Sequence, residues 1–144
     1  MAFISTITGF IEWDTLIRLI VALILSAIVG FEREKTGHPA GLRTHIMVCV
    51  TAALLMATAQ TLFIGDAIAR FGAAIVTGVG FLGAGAIIVY GKEVHGLTTA
   101  ASVWAIAGIG TVIGLGMYFE AVVASIIMWA VLRFKPIGVK ARKR

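Results

Sequence analysis

The chain has 144 residues, of which 60% are hydrophobic and only 13% are charged, and its formal net charge is +5. Soluble globular domains carry about 25% charged residues, so this composition excludes an ordinary soluble domain and indicates one membrane domain. The single cysteine, Cys49, excludes a disulfide within the chain. We expect no cleavable signal peptide, because no Lys- or Arg-rich segment precedes the first apolar residues.

The apolar runs predict five membrane-spanning helices, since about 20 helical residues cross the hydrocarbon core of a bilayer. Residues 1–12 are mixed in character and suit an interfacial helix, and Trp13 suits an interface anchor. The predicted spans cover residues 15–31, 44–64, 71–90 and 97–115, and a fifth span ends near Phe134. We therefore expect an all-α membrane domain over residues 1–134 and a basic tail over residues 135–144.

Arg18 is the one basic residue predicted to lie within a span. Asp14 precedes it by four residues, which places both side chains on the same helix face. We expect Arg18 to reach outward to Asp14 or to lipid headgroups rather than to gate a pathway. The other polar groups within the spans are mainly hydroxyls, so a transport path through the membrane has little support.

The predicted loops differ in their content of Lys and Arg. One side of the membrane receives the basic residues Arg33, Lys35, Arg43, Lys92, Arg133, Lys135, Lys140, Arg142, Lys143 and Arg144. The other side receives only Arg70, besides Arg18 in the first span. The positive-inside rule therefore predicts that the N-terminus is outside and the C-terminus is cytoplasmic. We therefore expect the basic residues to contact the headgroups of membrane lipids. We expect no nucleic acid partner.

The stretch from Gly78 to Gly116 combines two glycine-rich apolar segments with a short polar turn. Small residues allow helix backbones to approach closely in lipid, so we expect a tightly packed bundle and, across the same faces, a possible homodimer. The candidate packing residues are Gly78, Gly80, Gly83, Gly85, Gly110 and Gly114. The spacing of residues 78–83 also matches a dinucleotide fingerprint, which we reject because it lies inside an apolar segment.

Two loops share the pattern Gly-Leu-x-Thr, at residues 41–44 and 96–99, and each loop also holds a glutamate and a histidine. Both open a predicted helix on the cytoplasmic side, which indicates a weak parallel repeat. Together they define a candidate functional cluster of Glu32, Arg33, Glu34, Arg43, Thr44, Glu93, His95, Thr98 and Thr99, with His38, His45 and Lys92 close by. These groups either cap helices and contact headgroups, or they form a site for an ion or a partner protein.

The residue types in the cluster are compatible with either a cation or an anion. Glu32, Glu34 and Glu93 offer the oxygen ligands that Mg²⁺ prefers, although the neighbouring basic residues offset their charge. An anion at the helix N-termini beside Arg43 is equally compatible. Apart from Mg²⁺ we expect no cofactor. The sequence has no nucleophile–base pair, zinc motif or phosphate-binding loop, so we do not expect an enzyme.

Three motifs indicate a family resemblance over residues 12–134. They are Glu32-Arg33-Glu34 followed by Ala40-Gly41-Leu42-Arg43-Thr44, the run GVGFLGAGAI at 78–87, and VHGLTTAASVW at 94–104. The chain resembles the MgtC/SapB family of bacterial inner-membrane proteins, which have about five spans and an external N-terminus. The residues that match the family motifs are Glu32, Arg33, Glu34, Gly41, Leu42, Arg43, Thr44, Gly80, Phe81, Gly83, Gly85, Gly96, Leu97, Thr98, Thr99, Ala100 and Trp104.

The resemblance implies a role in magnesium-limited growth and, in pathogens, in virulence through survival inside macrophages. It favours a regulator that binds other membrane proteins, such as an F-type ATP synthase. The alternatives are a transporter of magnesium or another cation, with its site at the cytoplasmic carboxylates, and an anion-responsive sensor. Virulence members have a soluble domain after the fifth span, where this sequence has a short basic tail, and an asparagine where it has Thr98. We therefore do not carry over the functions that need those features.

Overall fold

The structure, a computed structural model, describes residues 2–134 and the side chains of residues 13–134. The described part is helical, with one short hairpin before the fourth helix. Its elements are α1 Ala2–Lys35, α2 Leu42–Leu62, α3 Asp66–Gly85, β1 Ile88–Tyr90, β2 Glu93–His95, α4 Leu97–Gly114 and α5 Tyr118–Arg133. The basic tail predicted over residues 135–144 lies outside the described residues.

Four helices of the described part are long and apolar enough to cross a membrane. They are Trp13–Lys35 of α1, Leu42–Leu62, Asp66–Gly85 and Leu97–Gly114. The fifth helix, α5, has 16 residues, slightly fewer than the roughly 17–25 of a typical spanning helix. The chain is therefore a helical membrane protein.

Several predicted boundaries differ from the structure; α3, for example, starts at Asp66, where the prediction has residue 71. Two of the differences change the kind of element. First, α1 is one continuous helix from Ala2 instead of an interfacial helix followed by a span. Second, the third span ends at Gly85, not Tyr90, because Ile88–Tyr90 pairs with Glu93–His95 as an antiparallel hairpin. Branched and aromatic residues favour this strand, and Gly91 supplies the positive φ of 61° in the turn.

The α4 helix lies at the centre of the packed core. Its Ile106 and Ile113 are fully buried, and they form one hydrophobic cluster with Cys49 and Ala53 of α2 and with Val29 of α1. By contrast, α3 lies at the edge: 6% of its span is buried, compared with 61% for α4. Few residues of α3 are therefore fully buried within the bundle.

The candidate packing glycines divide into two groups. A Cβ atom at Gly110 would overlap the Cys49 carbonyl oxygen, and one at Gly114 would lie 2.6 Å from the Met56 Cβ. Gly83 is in close contact with α4, since its Cβ would lie 3.3 Å from the Ala100 oxygen. The remaining three, Gly78, Gly80 and Gly85, have no atom within 4 Å of an added Cβ. Close helix packing thus involves Gly110 and Gly114 of α4 and Gly83 of α3, while Gly78, Gly80 and Gly85 are open.

Candidate functional site

The start of α2 is capped by a carboxylate from the end of α1. Glu34 Oε2 accepts a hydrogen bond of 2.8 Å from the Leu42 backbone N–H. Gly41 allows this close approach, because a Cβ there would lie 2.8 Å from the same oxygen. The N-terminus of α2 is thereby provided with a negative charge, which stabilises the partial positive charge of a helix start.

The start of α4 has a buried arginine beside it instead. Arg33 is only 2% exposed, and its Nη2 donates a hydrogen bond of 3.0 Å to Thr99 Oγ1. Its Nε is buried without a hydrogen-bond partner. Among the described residues, Arg33 has no Asp or Glu oxygen within the 4.0 Å of an ion pair. A buried positive charge therefore lies next to the first turn of α4 with a hydroxyl as its partner.

A buried imidazole connects the two helix starts. His45 of α2 is fully buried; its Nδ1 lies 2.8 Å from the Gly41 carbonyl oxygen, and its Nε2 lies 3.2 Å from Ser102 Oγ. Ser102 in turn donates a hydrogen bond of 2.8 Å to the Thr99 carbonyl. Through Arg33, His45, Thr99 and Ser102 a polar network joins α1, α2 and α4.

Other members of the predicted cluster lie outside this network. Glu93 and His95 are exposed on the β-hairpin, where Glu93 Oε2 is 3.4 Å from His95 Nε2. Arg43, Thr44 and Thr98 are exposed at the first turns of α2 and α4, and Glu32 lies near Arg133. The structure thus brings Arg33 and Thr99 into contact and places the Glu34 carboxylate of α1 at the start of α2. Glu93 and His95 form a separate pair.

The three carboxylates predicted as Mg²⁺ ligands do not form one group. Glu34 caps α2, Glu93 faces His95, and Glu32 Oε1 lies 3.4 Å from Nε of Arg133. In the part of the chain that the structure describes, no group of three or more His, Cys, Asp or Glu is placed to hold a metal ion. Each carboxylate has a different neighbour because the hairpin and the two helix ends hold them apart.

His38 lies in the loop between α1 and α2, close to the buried arginine. Its backbone N–H donates to the Arg33 carbonyl at 3.1 Å, and its Nδ1 is 2.8 Å from Thr36 Oγ1. Partial burial lowers the pKa of His38, the charge of Arg33 lowers it further, and a hydrogen bond to the Arg33 backbone opposes both effects. His38 is therefore held toward its neutral form.

A narrow cleft adjoins this end of the bundle. Its volume is about 250 Å³. It is bordered by the α1–α2 loop, the end of α3 and the start of α4, through Pro39, Ala40, Thr44, Leu82, Gly85, Ala86, Thr99 and Val103. Thr99 thus contacts Arg33 on one side and lines the cleft on the other.

The opposite end of the bundle contains a second polar group, centred on Arg18. The predicted contact with Asp14 is confirmed. Arg18 also donates hydrogen bonds to the Gln60 side chain and to the Gly114 carbonyl. The sequence pattern did not predict these two contacts. A cation at the end of α4 complements the partial negative charge of a helix C-terminus. Arg18 therefore connects α1, α2 and α4, as Arg33 and His45 do at the other end.

The sequence places His45 close to the predicted cluster, but it does not predict the buried contact of His45 with Ser102. A serine in an apolar helix usually bonds a carbonyl of its own helix, as Ser102 also does, so its sequence context gives no signal of a second partner. The only sequence signal for His45 is its position directly after Gly-Leu-Arg-Thr.

Fold and site together define a helical membrane protein with buried polar networks at both ends of its bundle. The sequence model of the MgtC family matches residues 19–139, and the chain belongs to this family. It is 42% identical to the putative magnesium transporter YhiD of Escherichia coli K12 over 83% of this chain and 59% of that protein. It is also 42% identical to protein MgtC of Salmonella typhimurium LT2, over 78% and 48% of the two chains.

A protein of Synechocystis, slr0014, is 38% identical over 88% of this chain and 55% of its own length. The chain thus spans about half the length of the relatives it matches. No solved structure matches it. The family resemblance of the sequence motifs is confirmed.

Proposed function

We propose that this protein is a regulator in the bacterial inner membrane that acts by binding other membrane proteins under magnesium limitation. In this proposal α5 completes a five-span bundle, with the N-terminus outside and the C-terminus in the cytoplasm. The name of the Escherichia coli relative, putative magnesium transporter YhiD, supports the connection to magnesium. The exposed, glycine-containing face of α3 supports binding to another membrane protein as the mode of action.

The α3 helix is apolar, yet little of it packs against the rest of the bundle. Ala74, Gly78, Phe81 and Gly85 follow one another at helical spacing and are all exposed. An added Cβ at Gly78 or Gly85 meets no atom within 4 Å. Because lipid offers no hydrophobic driving force for helix association, close backbone approach over small residues matters most. This face therefore suits a helix of a partner protein, of which an F-type ATP synthase is one candidate, or of a second copy.

The substitution Gly78→Leu tests this proposal, since it closes the open face without disturbing a packed contact. Gly108→Leu is the matched control, because Gly108 in α4 also has no atom within 4 Å of an added Cβ. We expect Gly78→Leu to lose the growth benefit under low magnesium and the cross-linked partner bands, at unchanged protein level. If both variants lost growth and cross-linking equally, or if neither variant lost them, a role for the α3 face would be contradicted.

Transport of magnesium or another cation is the second candidate, favoured by the name of the Escherichia coli relative. Its site would be the cytoplasmic carboxylates Glu32 and Glu93. Magnesium flux into proteoliposomes tests it, with Glu32→Gln and Glu93→Gln beside Asp66→Asn as the control at the other end of α3. If the flux is saturable, is lost in Glu32→Gln and Glu93→Gln, and is retained in Asp66→Asn, transport replaces regulation as the proposed function. Flux equal to that of empty liposomes would support the regulator.

A further inference from the structure

The β-hairpin between α3 and α4 has one apolar face and one mixed face. Its register pairs Val89 with Val94, Ile88 with His95 and Tyr90 with Glu93. Because successive side chains of a strand point to opposite faces, Val89 and Val94 share one face and the other four residues share the second. The distance of 3.4 Å between Glu93 Oε2 and His95 Nε2 agrees with this arrangement. The hairpin is therefore amphipathic.

The apolar face of the hairpin is exposed. Val89 is 66% exposed and Val94 is 50% exposed, and the other residues of both strands are exposed as well. A two-stranded hairpin by itself is marginally stable in water, and exposed apolar surface costs about 25 cal/mol per Å². A surface outside the described part of the chain is therefore needed to cover this face.

The hairpin is held at the ends of two long apolar helices. At about 1.5 Å per residue, the 20 residues of α3 extend about 30 Å, which is the thickness of the hydrocarbon core. Strand β1 starts three residues after α3 ends, and α4 starts two residues after β2 ends. An added Cβ at Gly96 would overlap the Ala86 carbonyl oxygen, so the two ends of the hairpin meet there. The base of the hairpin therefore lies at the membrane boundary.

The apolar surface of α3 continues onto the hairpin without a polar break. Phe81 and Leu82 are exposed near the end of α3, residues 78–89 include no polar side chain, and the first charged residue after them is Lys92 in the turn. Tyr90 and Lys92 combine an apolar body with a polar tip, which suits the membrane–water interface. The hydrocarbon core is excluded, because the strand edges carry unpaired backbone groups. The headgroup region is the depth that fits.

We propose that the hairpin lies against the phospholipid headgroup region of the bilayer that contains the protein. The Val89–Val94 face is directed toward the acyl chains, and the Glu93–His95 face is directed toward water. The hairpin thereby extends the lipid-facing surface of the bundle beyond the end of α3. This inference involves phospholipid and no partner protein, so it stands or fails separately from the proposed function.

Nitroxide labels test the two faces in nanodiscs of phosphatidylethanolamine and phosphatidylglycerol that each hold one copy of the full chain. In a Cys49→Ala background, single labels are attached after Val89→Cys, Val94→Cys, Glu93→Cys and His95→Cys. Collision with oxygen, which concentrates in lipid, is compared with collision with a water-soluble nickel chelate. We expect the oxygen-to-nickel ratio to be several-fold higher for the labels at 89 and 94 than for those at 93 and 95.

Two results would overturn the proposal. Equal nickel accessibility on both faces would place the whole hairpin in water. Protection of the labels at 89 and 94 from both reagents would mean that protein, and not lipid, covers the apolar face. Because each nanodisc holds one copy, a second copy of the chain cannot produce the expected pattern.

A charge on the apolar face provides a second test. Val94→Glu should detach the hairpin from the lipid surface, so the label at residue 89 should lose most of its excess oxygen accessibility. Val94→Ile is the matched control and should leave the label at its original depth. Both variants are expected to fold because residue 94 is half exposed, and circular dichroism checks their helix content. An unchanged depth in Val94→Glu would contradict insertion of this face.

Discussion

The α2 and α4 helices start with the same pattern, Gly-Leu-x-Thr, but they are stabilised differently. At α2 the glutamate lies seven residues before Gly41, in the last turn of α1, and its carboxylate reaches the Leu42 N–H. At α4 the glutamate lies three residues before Gly96, on a β-hairpin that turns it toward solvent and His95. What differs is the element that precedes each helix. A helix end delivers its carboxylate to the next helix start, whereas a hairpin holds it away.

The largest effect is expected from an alanine at the two glycines that open these helices. Gly96→Ala places a Cβ onto the Ala86 carbonyl at a φ of 85°, and we expect a loss of more than about 3 kcal/mol in the free energy of unfolding. Gly41→Ala has an ordinary φ of −102° and meets only the flexible Glu34 side chain, so about 1 kcal/mol is expected. Unfolding by SDS in mixed micelles measures both. Equal losses would show that the two starts are equally constrained.

The next prediction concerns the two glutamates. Glu34→Ala removes the acceptor for Leu42 N–H, and we expect α2 to lose about 1–2 kcal/mol, as for other lost caps. Glu93→Ala removes an exposed pair, for which less than about 0.5 kcal/mol is expected. Thermal unfolding of both purified variants gives the comparison. A larger loss of stability in Glu93→Ala than in Glu34→Ala would mean that the Glu93 carboxylate stabilises the start of α4.

The fold could be predicted to a large extent from hydropathy. Helix α4 was predicted to start at Leu97, as it does, and α2 starts within two residues of the predicted Thr44. The end of α3 was missed because residues 86–90 continue the apolar run without a polar break. Periodicity alone does not separate a short apolar strand from the end of a helix; the branched residues before Gly91 were the available signal.

The candidate site could be predicted as a set of residues but not as a set of contacts. Arg33 and Thr99 were both in the predicted cluster, yet 66 positions separate them. Whether they meet depends on the rotation of α1 about its axis and on the packing of α1 against α4. These are decided by close contacts such as that of Gly30 with the Leu42 Cα, at 2.8 Å from an added Cβ. Local sequence patterns do not encode such distances.

A carboxylate introduced at α4 should reproduce there what Glu34 does at α2. Thr98 is exposed in the first turn, so Thr98→Asp adds a negative charge where the helix dipole and Arg33 favour it. We expect a gain of about 0.5 kcal/mol in the free energy of unfolding, measured by SDS unfolding in mixed micelles. The equivalent change at α2, Arg43→Asp, should gain less, because Glu34 is already present. A loss of stability in Thr98→Asp would show that the first turn of α4 does not favour a negative charge.

The smallest expected effect is a pH dependence that His38 introduces beside Arg33. Burial and the Arg33 charge hold the folded-state pKa of His38 below its ordinary value. The folded protein therefore binds a proton at His38 less readily than the unfolded chain does, so stability falls as the pH drops below about 6.5. Above that pH His38 is neutral in both states and contributes nothing. His38→Gln should flatten the profile of thermal stability against pH between about pH 5 and 7. An unchanged profile in His38→Gln would assign the acid sensitivity to another group.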